Sequence, residues 1–283
     1  MKKKTILRAL AAVSAAVLLL GGAYLLNKDD FRQRLKETEM KPYMPTPAIL
    51  AALDEASEPK TTTVTEITTS IVTEYKVTST TTAYTTTASP ELPSGVKEQL
   101  IDTAVSLNNA YPDAIGWLYI PDTVINYPVM QSDDNFYYLK HAYDGSPLKA
   151  GSVYLDYRCE GRFQNPINIV YAHNMKNGSM FAQITRFKND SFFEKHKYGW
   201  LATPETVYRI DFFSLAVADW HDELYKGDTS ISEWIPHIYG RSAVSREMTY
   251  TDFDKFVSFS TCSYEFENAR NILTGKLVEV KEA

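Results

Sequence analysis

The chain has 283 residues and a formal net charge of −6, a length that holds one ordinary domain with extra segments or two small ones. The acidic balance argues against a general nucleic-acid binder, whose footprint is basic. With only two cysteines there is no disulfide framework and no paired zinc-ligand pattern.

The N-terminus carries Lys2, Lys3, Lys4 and Arg8, and residues 9–26 are then free of charge. That run is just long enough for a transmembrane helix, which needs about 20 residues. The basic flank, residues 1–8, would stay cytoplasmic and leave the rest of the chain outside. A cleaved signal peptide competes with this reading, but the apolar region is long for one, and no small-x-small site precedes Asn27-Lys28-Asp29-Asp30. The expectation is an uncleaved single-pass anchor in the cell membrane. Residues 27–60 read as a polar juxtamembrane segment, with a short helix around 31–39 and prolines at 42, 45 and 47. Residues 61–88 are half threonine, and low complexity argues against a packed domain. This tract and the linker through residue 95 are expected to form an extended stalk below a domain spanning residues 96–283.

That domain opens with Leu100, Ile101, Ala104, Val105 and Leu107 at roughly helical spacing, which predicts an amphipathic helix over Val96–Ala110. From Trp117 onward, short Tyr-, Val- and Ile-rich runs alternate with turn signals such as Asp144-Gly145-Ser146-Pro147 and Asn177-Gly178, the pattern of a mainly β domain. Further helices are expected over 180–187 and about 228–238. One strand-like run, residues 167–174, ends in His173-Asn174. Another, Phe256-Val257-Ser258-Phe259-Ser260-Thr261-Cys262, ends in a cysteine, and the apolar run 271–280 follows it.

If the last two runs pair antiparallel, the connection Ser263-Tyr264-Glu265-Phe266-Glu267-Asn268-Ala269 has hairpin length. Cys262 and Arg270 then nearly face each other, with Cβ atoms roughly 4.5–5.5 Å apart. A guanidinium so placed lowers a thiol pKa or donates to an oxyanion. On these residues alone, a buried cysteine beside an unrelated surface arginine is the more ordinary explanation. Of the five histidines, only His173 stands at a strand end; His196 lies among Glu194, Lys195 and Lys197, an expected charged surface, and His141, His221 and His237 read as surface or rim positions.

The segment Ser260-Thr261-Cys262-Ser263-Tyr264-Glu265-Phe266 followed by Arg270 resembles the active-site strand of sortases. Tyr171-Ala172-His173-Asn174-Met175-Lys176-Asn177-Gly178-Ser179-Met180-Phe181 is similar to the histidine segment of the class B branch. The blocks Gly116-Trp117-Leu118-Tyr119-Ile120-Pro121 and Ile125-Asn126-Tyr127-Pro128-Val129-Met130-Gln131 look like that class's early strands. Asn135-Phe136-Tyr137-Tyr138-Leu139 and residues 151–158 fit as well. Two departures stand out: Ala172 where the family often has Gly, and Ser258-Phe259 where it often has Thr-Leu. Both fall where they would reshape a substrate groove.

The resemblance implies a mainly β fold, a closed eight-stranded barrel with an N-terminal helix and a helix in the insert before the cysteine strand. It also implies a cysteine transpeptidase in which Cys262 attacks the sorting signal of a secreted surface protein and forms a thioester. Arg270 would stabilise the oxyanion, His173 would carry the proton, and an amine of a cell-wall precursor or a pilin would receive the acyl group. This chemistry calls for no metal or other cofactor. Thr261, Tyr171 and Tyr264 are the substrate-contact candidates. Thr261 points to the opposite strand face, where it would position the strand, and packing explains the tyrosines equally well. Cys159 reads as a packing or loop residue, because a bridge to Cys262 would consume the nucleophile. An L,D-transpeptidase-like enzyme would show Ser-His-Gly-Cys followed directly by Arg, which is absent around Cys262. A non-catalytic wall-associated module would explain the anchor and stalk but not the three reactive residues together.

Overall fold

In the computed structural model, residues 28–57, 91–226 and 229–281 are described. The anchor expected over 9–26 and the threonine tract over 61–88 lie outside them. No described helix is long and apolar enough to cross a membrane.

The β-rich runs become nine strands: β1 Ala114–Tyr119, β2 Asn126–Met130, β3 Val153–Leu155, β4 Ile167–Tyr171, β5 Tyr198–Ala202, β6 Val207–Asp219, β7 Ser242–Ser245, β8 Lys255–Cys262 and β9 Ala269–Glu279. Their order is β5-β1-β2-β3-β4-β8-β9-β6-β7, and an added β5–β6 pairing closes eight of them into a barrel, with β7 appended to β6. An eight-stranded barrel has an interior that side chains can fill. Here Leu118, Val170, Phe212, Val257, Phe259 and Leu273 fill it.

The longest pairing, β6 with β9, shifts register between Phe212 and Ser214. A Cβ added at Gly275, opposite this bulge, would lie 2.5 Å from Ile210 Cγ2. A residue without a side chain lets the two strands stay in contact there.

The outer faces of β4, β8 and β9 are buried too. Ile167, Ile169, Phe256 and Ile272 pack with Trp234, Ile235 and Ile238 of a helix over Ile231–Arg241. Because β8 is covered on both sides, it reads as a nearly continuous buried run rather than an alternating one.

The remaining helices are, in chain order, α1 Lys28–Met40, α2 Pro47–Ala56, α3 Val96–Ala110 and α4 Asp190–Lys195, and the insert helix is α5. The bounds of α3 are those its periodicity predicts, and Val96, Leu100, Ala104 and Leu107 are its buried stripe. The helix expected over 180–187 starts later, as a 3-10 stretch Ala182–Lys188, because Met180 takes a left-handed conformation at φ 55° and bridges back to Asn174.

Residues 28–57 differ most from expectation. They are two helices packed on the barrel, with Met40, Ile49 and Leu53 buried in its core cluster. The prolines read as breakers are part of the reason. Thr46 caps α2, its hydroxyl accepting from Ile49 N–H at 3.4 Å, and Pro47 occupies the first turn, where its fixed φ suits a helix. Polar ties complete the docking: Tyr119 donates to Asp54 Oδ1 at 2.6 Å and Trp200 Nε1 to Ser57 Oγ at 2.8 Å.

His196 is a second difference. It is 7% exposed, stacked on Phe192 at 3.7 Å, with Nδ1 2.7 Å from the Phe192 carbonyl. It ends α4 facing inward, while its charged neighbours face out, and burial lowers its pKa.

Candidate active site

β4 and β8 run parallel, with Ile169 opposite Ser258 and Tyr171 opposite Ser260. Two residues beyond each of the last pair stand His173 and Cys262, so the shared register carries them to the same rim of the barrel. The ladder continues past the strand end: Ala172 N–H donates to the Ser260 carbonyl at 3.3 Å, and the Thr261 hydroxyl donates to the Ala172 carbonyl at 2.8 Å. On the other side β9 runs antiparallel to β8 and sets Arg270 directly opposite Cys262. Side chains alternate along a strand. Cys262 therefore shares the outer face with Ser258 and Ser260.

The hairpin that joins β8 to β9 is closed by Ser263 N–H donating to the Ala269 carbonyl at 2.9 Å. It turns through Asn268 at φ 63°, a left-handed conformation that asparagine tolerates. Arg270 Nη1 donates to the carbonyls of Asn268 at 3.2 Å and Ala269 at 2.9 Å. The loop thus holds the root of the guanidinium.

His173 is oriented from elsewhere. Its Nε2 lies 2.9 Å from the Leu139 carbonyl. A carbonyl only accepts, so Nε2 carries the hydrogen and Nδ1 is the atom that takes up or gives a proton. The Leu139 carbonyl in turn depends on Gly151, at φ +59°. A Cβ there would lie 2.7 Å from that oxygen and 2.4 Å from the Tyr138 oxygen, so only glycine fits. Asn174 Nδ2 donates to the Cys262 carbonyl at 2.9 Å, tying the histidine segment to the cysteine strand.

Below the rim, the outer face is walled by Tyr171 and Tyr225, stacked at 6.3 Å. The Tyr225 hydroxyl and Ser260 Oγ are 2.7 Å apart. Burial pushes the Tyr225 phenol up, so it stays neutral. The Tyr171 hydroxyl donates to Asp156 Oδ2 at 2.9 Å, and Arg158 grips both oxygens of that carboxylate, Nε at 2.9 Å and Nη2 at 2.7 Å. Burial acts to raise Asp156, but its hydrogen bonds with Arg158 and Tyr171 outweigh it and hold the carboxyl below its ordinary range.

The structure thus brings Cys262, His173 and Arg270 to adjoining strand ends. Tyr171 stands on the wall with its hydroxyl committed to Asp156. Tyr264 is 79% exposed on the hairpin loop. Thr261 is 2% exposed, on the inner face that alternation predicts, and its hydroxyl binds β4 to β8, the strand-positioning role expected of it. The departures at Ala172 and Phe259 also face inward. Phe259 packs against Phe181 and Phe212, and both residues belong to the barrel core rather than to a groove. Ser258 bonds Thr274, its cross-strand partner, at 3.0 Å. Both cysteines are free; Cys159 contacts the Ile167 carbonyl at 3.8 Å, and burial raises its pKa. Leu139, Asn174, Asp156 and Tyr225 escaped the sequence reading. Leu139, Asp156 and Asn174 stood inside the segments that carry the resemblance but with no role assigned, and Tyr225 left no trace.

A closed barrel carrying a thiol, an imidazole and a guanidinium at three adjoining strand ends defines a cysteine transpeptidase of the sortase type. The chain is 31% identical to Sortase B of Listeria monocytogenes serovar 1/2a over 189 residues, 65% of this chain and 77% of that protein. It is 25% identical to Sortase B of Staphylococcus aureus over 181 residues, covering 62% and 74%. Among solved structures, the Staphylococcus aureus sortase B–substrate complex superposes with a TM-score of 0.60 at 24% identity, covering 64% of this chain and 87% of that one. A class B sortase of Streptococcus pyogenes involved in pilus biogenesis superposes with a TM-score of 0.57 at 31% identity, covering 61% and 96%. No protein-family model matches the chain. On its identity and coverage, the chain belongs to the sortase B family.

Proposed function

We propose that Cys262, His173 and Arg270 are the reacting groups of a membrane-anchored transpeptidase that cleaves the C-terminal sorting signal of secreted surface proteins and passes the acyl group to an amine outside the cell. The convergence of these three side chains at the ends of β4, β8 and β9 carries this reading. The Cys262 thiolate attacks the scissile carbonyl, and Arg270 with nearby backbone N–H groups stabilises the oxyanion. The C–N bond breaks as His173 gives its Nδ1 proton to the leaving amine. An incoming amine then attacks the thioester, a new C–N bond forms, the C–S bond breaks, and Nδ1 takes the amine's proton.

The walled outer face under Tyr171 and Tyr225 is the natural groove for an extended peptide, and the relative solved with substrate supports a peptide donor. A cell-wall precursor is the acceptor we favour. The relative involved in pilus biogenesis makes a pilin amine the second reading. The uncharged run over 9–26 behind a basic flank supports an anchor that leaves the barrel extracellular.

Incubation with a sorting-signal peptide from a surface protein of the same cell, followed by mass spectrometry, tests the reading. An acyl adduct on Cys262 is expected, and its mass identifies the residue before the cut. Cys262→Ala should fold normally and lose all cleavage. Retained turnover in that variant would sink the mechanism.

A further inference from the structure

The helix α1 reaches the barrel through polar contacts on two loops, and both loops set His173. The first is the turn that follows the histidine. Residues 173–181 fold back on themselves: the His173 carbonyl accepts from Phe181 N–H at 3.0 Å, Gly178 takes φ +83° at the tip, and Asn177 Oδ1 accepts from Ser179 N–H at 3.1 Å. The Asn177 amide nitrogen is left for α1, and it donates to Asp30 Oδ1 at 2.9 Å and to Gln33 Oε1 at 3.3 Å. The second loop is the turn over 139–151, whose Leu139 carbonyl fixes the imidazole ring. There Lys36 Nζ binds Asp144 Oδ2 at 2.7 Å, and Lys149 meets Asp29 at 3.3 Å. Between these ties α1 roofs an apolar crevice walled by Met40, Tyr127, Leu148 and Met180.

Exposed ion pairs and hydrogen bonds add little to global stability, and Met40, buried in the core cluster, docks α1 without them. What these ties fix is where the two loops stand. The backbone of His173 belongs to the first loop, and its Nε2 is held by the second. One helix bridging both therefore sets the direction of Nδ1. A misplacement of about 1 Å in a reacting group can lower a rate about 100-fold, so contacts worth little to the fold can matter to the proton transfer.

We propose that α1 positions His173, with Asn177, Asp30 and Gln33 as positioning residues, so that proton delivery to the leaving amine depends on a helix ahead of the barrel. The proposal rests on the thioester reading above. With an amide donor, the Cys262 sulfur bonds the acyl carbon, the C–N bond breaks, and the amine leaves with the Nδ1 proton. With a thioester donor, the same S–C bond forms, the donor's own C–S bond breaks, and its sulfur leaves as a thiolate that needs no proton. Only the first reaction requires a correctly aimed Nδ1.

The test uses the full-length chain in detergent and two donors of one sorting-signal sequence, an amide and a thioester at the scissile position. Quenched-flow mass spectrometry follows the adduct on Cys262, and the ratio of amide to thioester rates isolates protonation of the leaving group. Asn177→Asp keeps the acceptor that closes the turn on Ser179 but sets a carboxylate against Asp30. It should lower the ratio about five-fold, with the donor concentration for half-maximal rate unchanged. Adding Asp30→Asn exchanges donor and acceptor across the contact and should restore the ratio. Gln33→Ala should lower it in the same direction, and it carries the test if Asn177→Asp does not fold. An unchanged ratio, or equal losses with both donors, would overturn the positioning role and leave α1 a structural support. Failure of the exchanged pair to restore the ratio would overturn it as well. Absence of any adduct on wild-type Cys262 with either donor would instead remove the thioester reading itself, and the proposal with it.

Discussion

Along β8 the inner face reads Val257, Phe259, Thr261 and the outer face Ser258, Ser260, Cys262. The inner set closes the barrel, with Phe259 wedged between Phe181 and Phe212. The outer set carries two hydroxyls and the thiol, each hydroxyl bonded to a neighbour, Ser258 to Thr274 and Ser260 to Tyr225. One strand therefore holds a fold together with one face and positions chemistry with the other. The period-2 alternation that separates these tasks also fixes the register, because a slip by one residue would send the thiol into the core.

Substitutions on the two faces should fail in different ways. Arg270→Lys keeps the charge but loses the planar fork of donors. It should lower the rate of acyl-enzyme formation about 100-fold, with little change in melting temperature. Near wild-type rates would show that a point charge suffices. Phe259→Ala, on the inner face, should do the reverse. Chemical denaturation should show a loss of about 3–5 kcal/mol, while the fraction still folded keeps its turnover; a rate loss matching that of Arg270→Lys would erase the contrast between the faces. Ser260→Ala removes one hydrogen bond to Tyr225 and should cost about 1 kcal/mol together with a modest rise in donor KM.

The smallest effect is electrostatic. Asp156 has its folded pKa depressed, so its contribution to stability is present above its unfolded pKa and is lost as pH falls through the folded one. Acid unfolding followed by circular dichroism should therefore contain a step that Asp156→Asn lacks. An unchanged acid profile would show that the Arg158 and Tyr171 bonds contribute nothing to the wall.

How much of this was legible in the sequence depends on the range of the forces involved. The pairing of Cys262 with Arg270 followed from a connection of hairpin length, and α3 from its apolar spacing, both local signals. His173 was marked by its strand end and by the resemblance, although what orients it was invisible. The Leu139 carbonyl is a backbone group, brought near by a turn that Gly151 permits. The inward face of Thr261 followed from alternation along the strand, while the Ala172 carbonyl that its hydroxyl binds was not legible. The helix α2 was hidden by prolines whose helix-starting position makes them favourable. The burial of His196 was hidden by three charged neighbours that face away from it.

The docking of residues 28–57 changes what the stretch between them and the barrel can do. Ser57 is held by Trp200, and Leu92 is 6% exposed, so both ends of residues 58–90 are fastened to one body. A tract pinned at both ends is a closed loop in the polymer sense, whatever its conformation, and its length does not set the distance between the barrel and whatever precedes Lys28. Lengthening it should cost only closure entropy, about 0.6 kcal/mol per doubling. The length of residues 58–90 is thus decoupled from the spacing between the barrel and the residues ahead of α1.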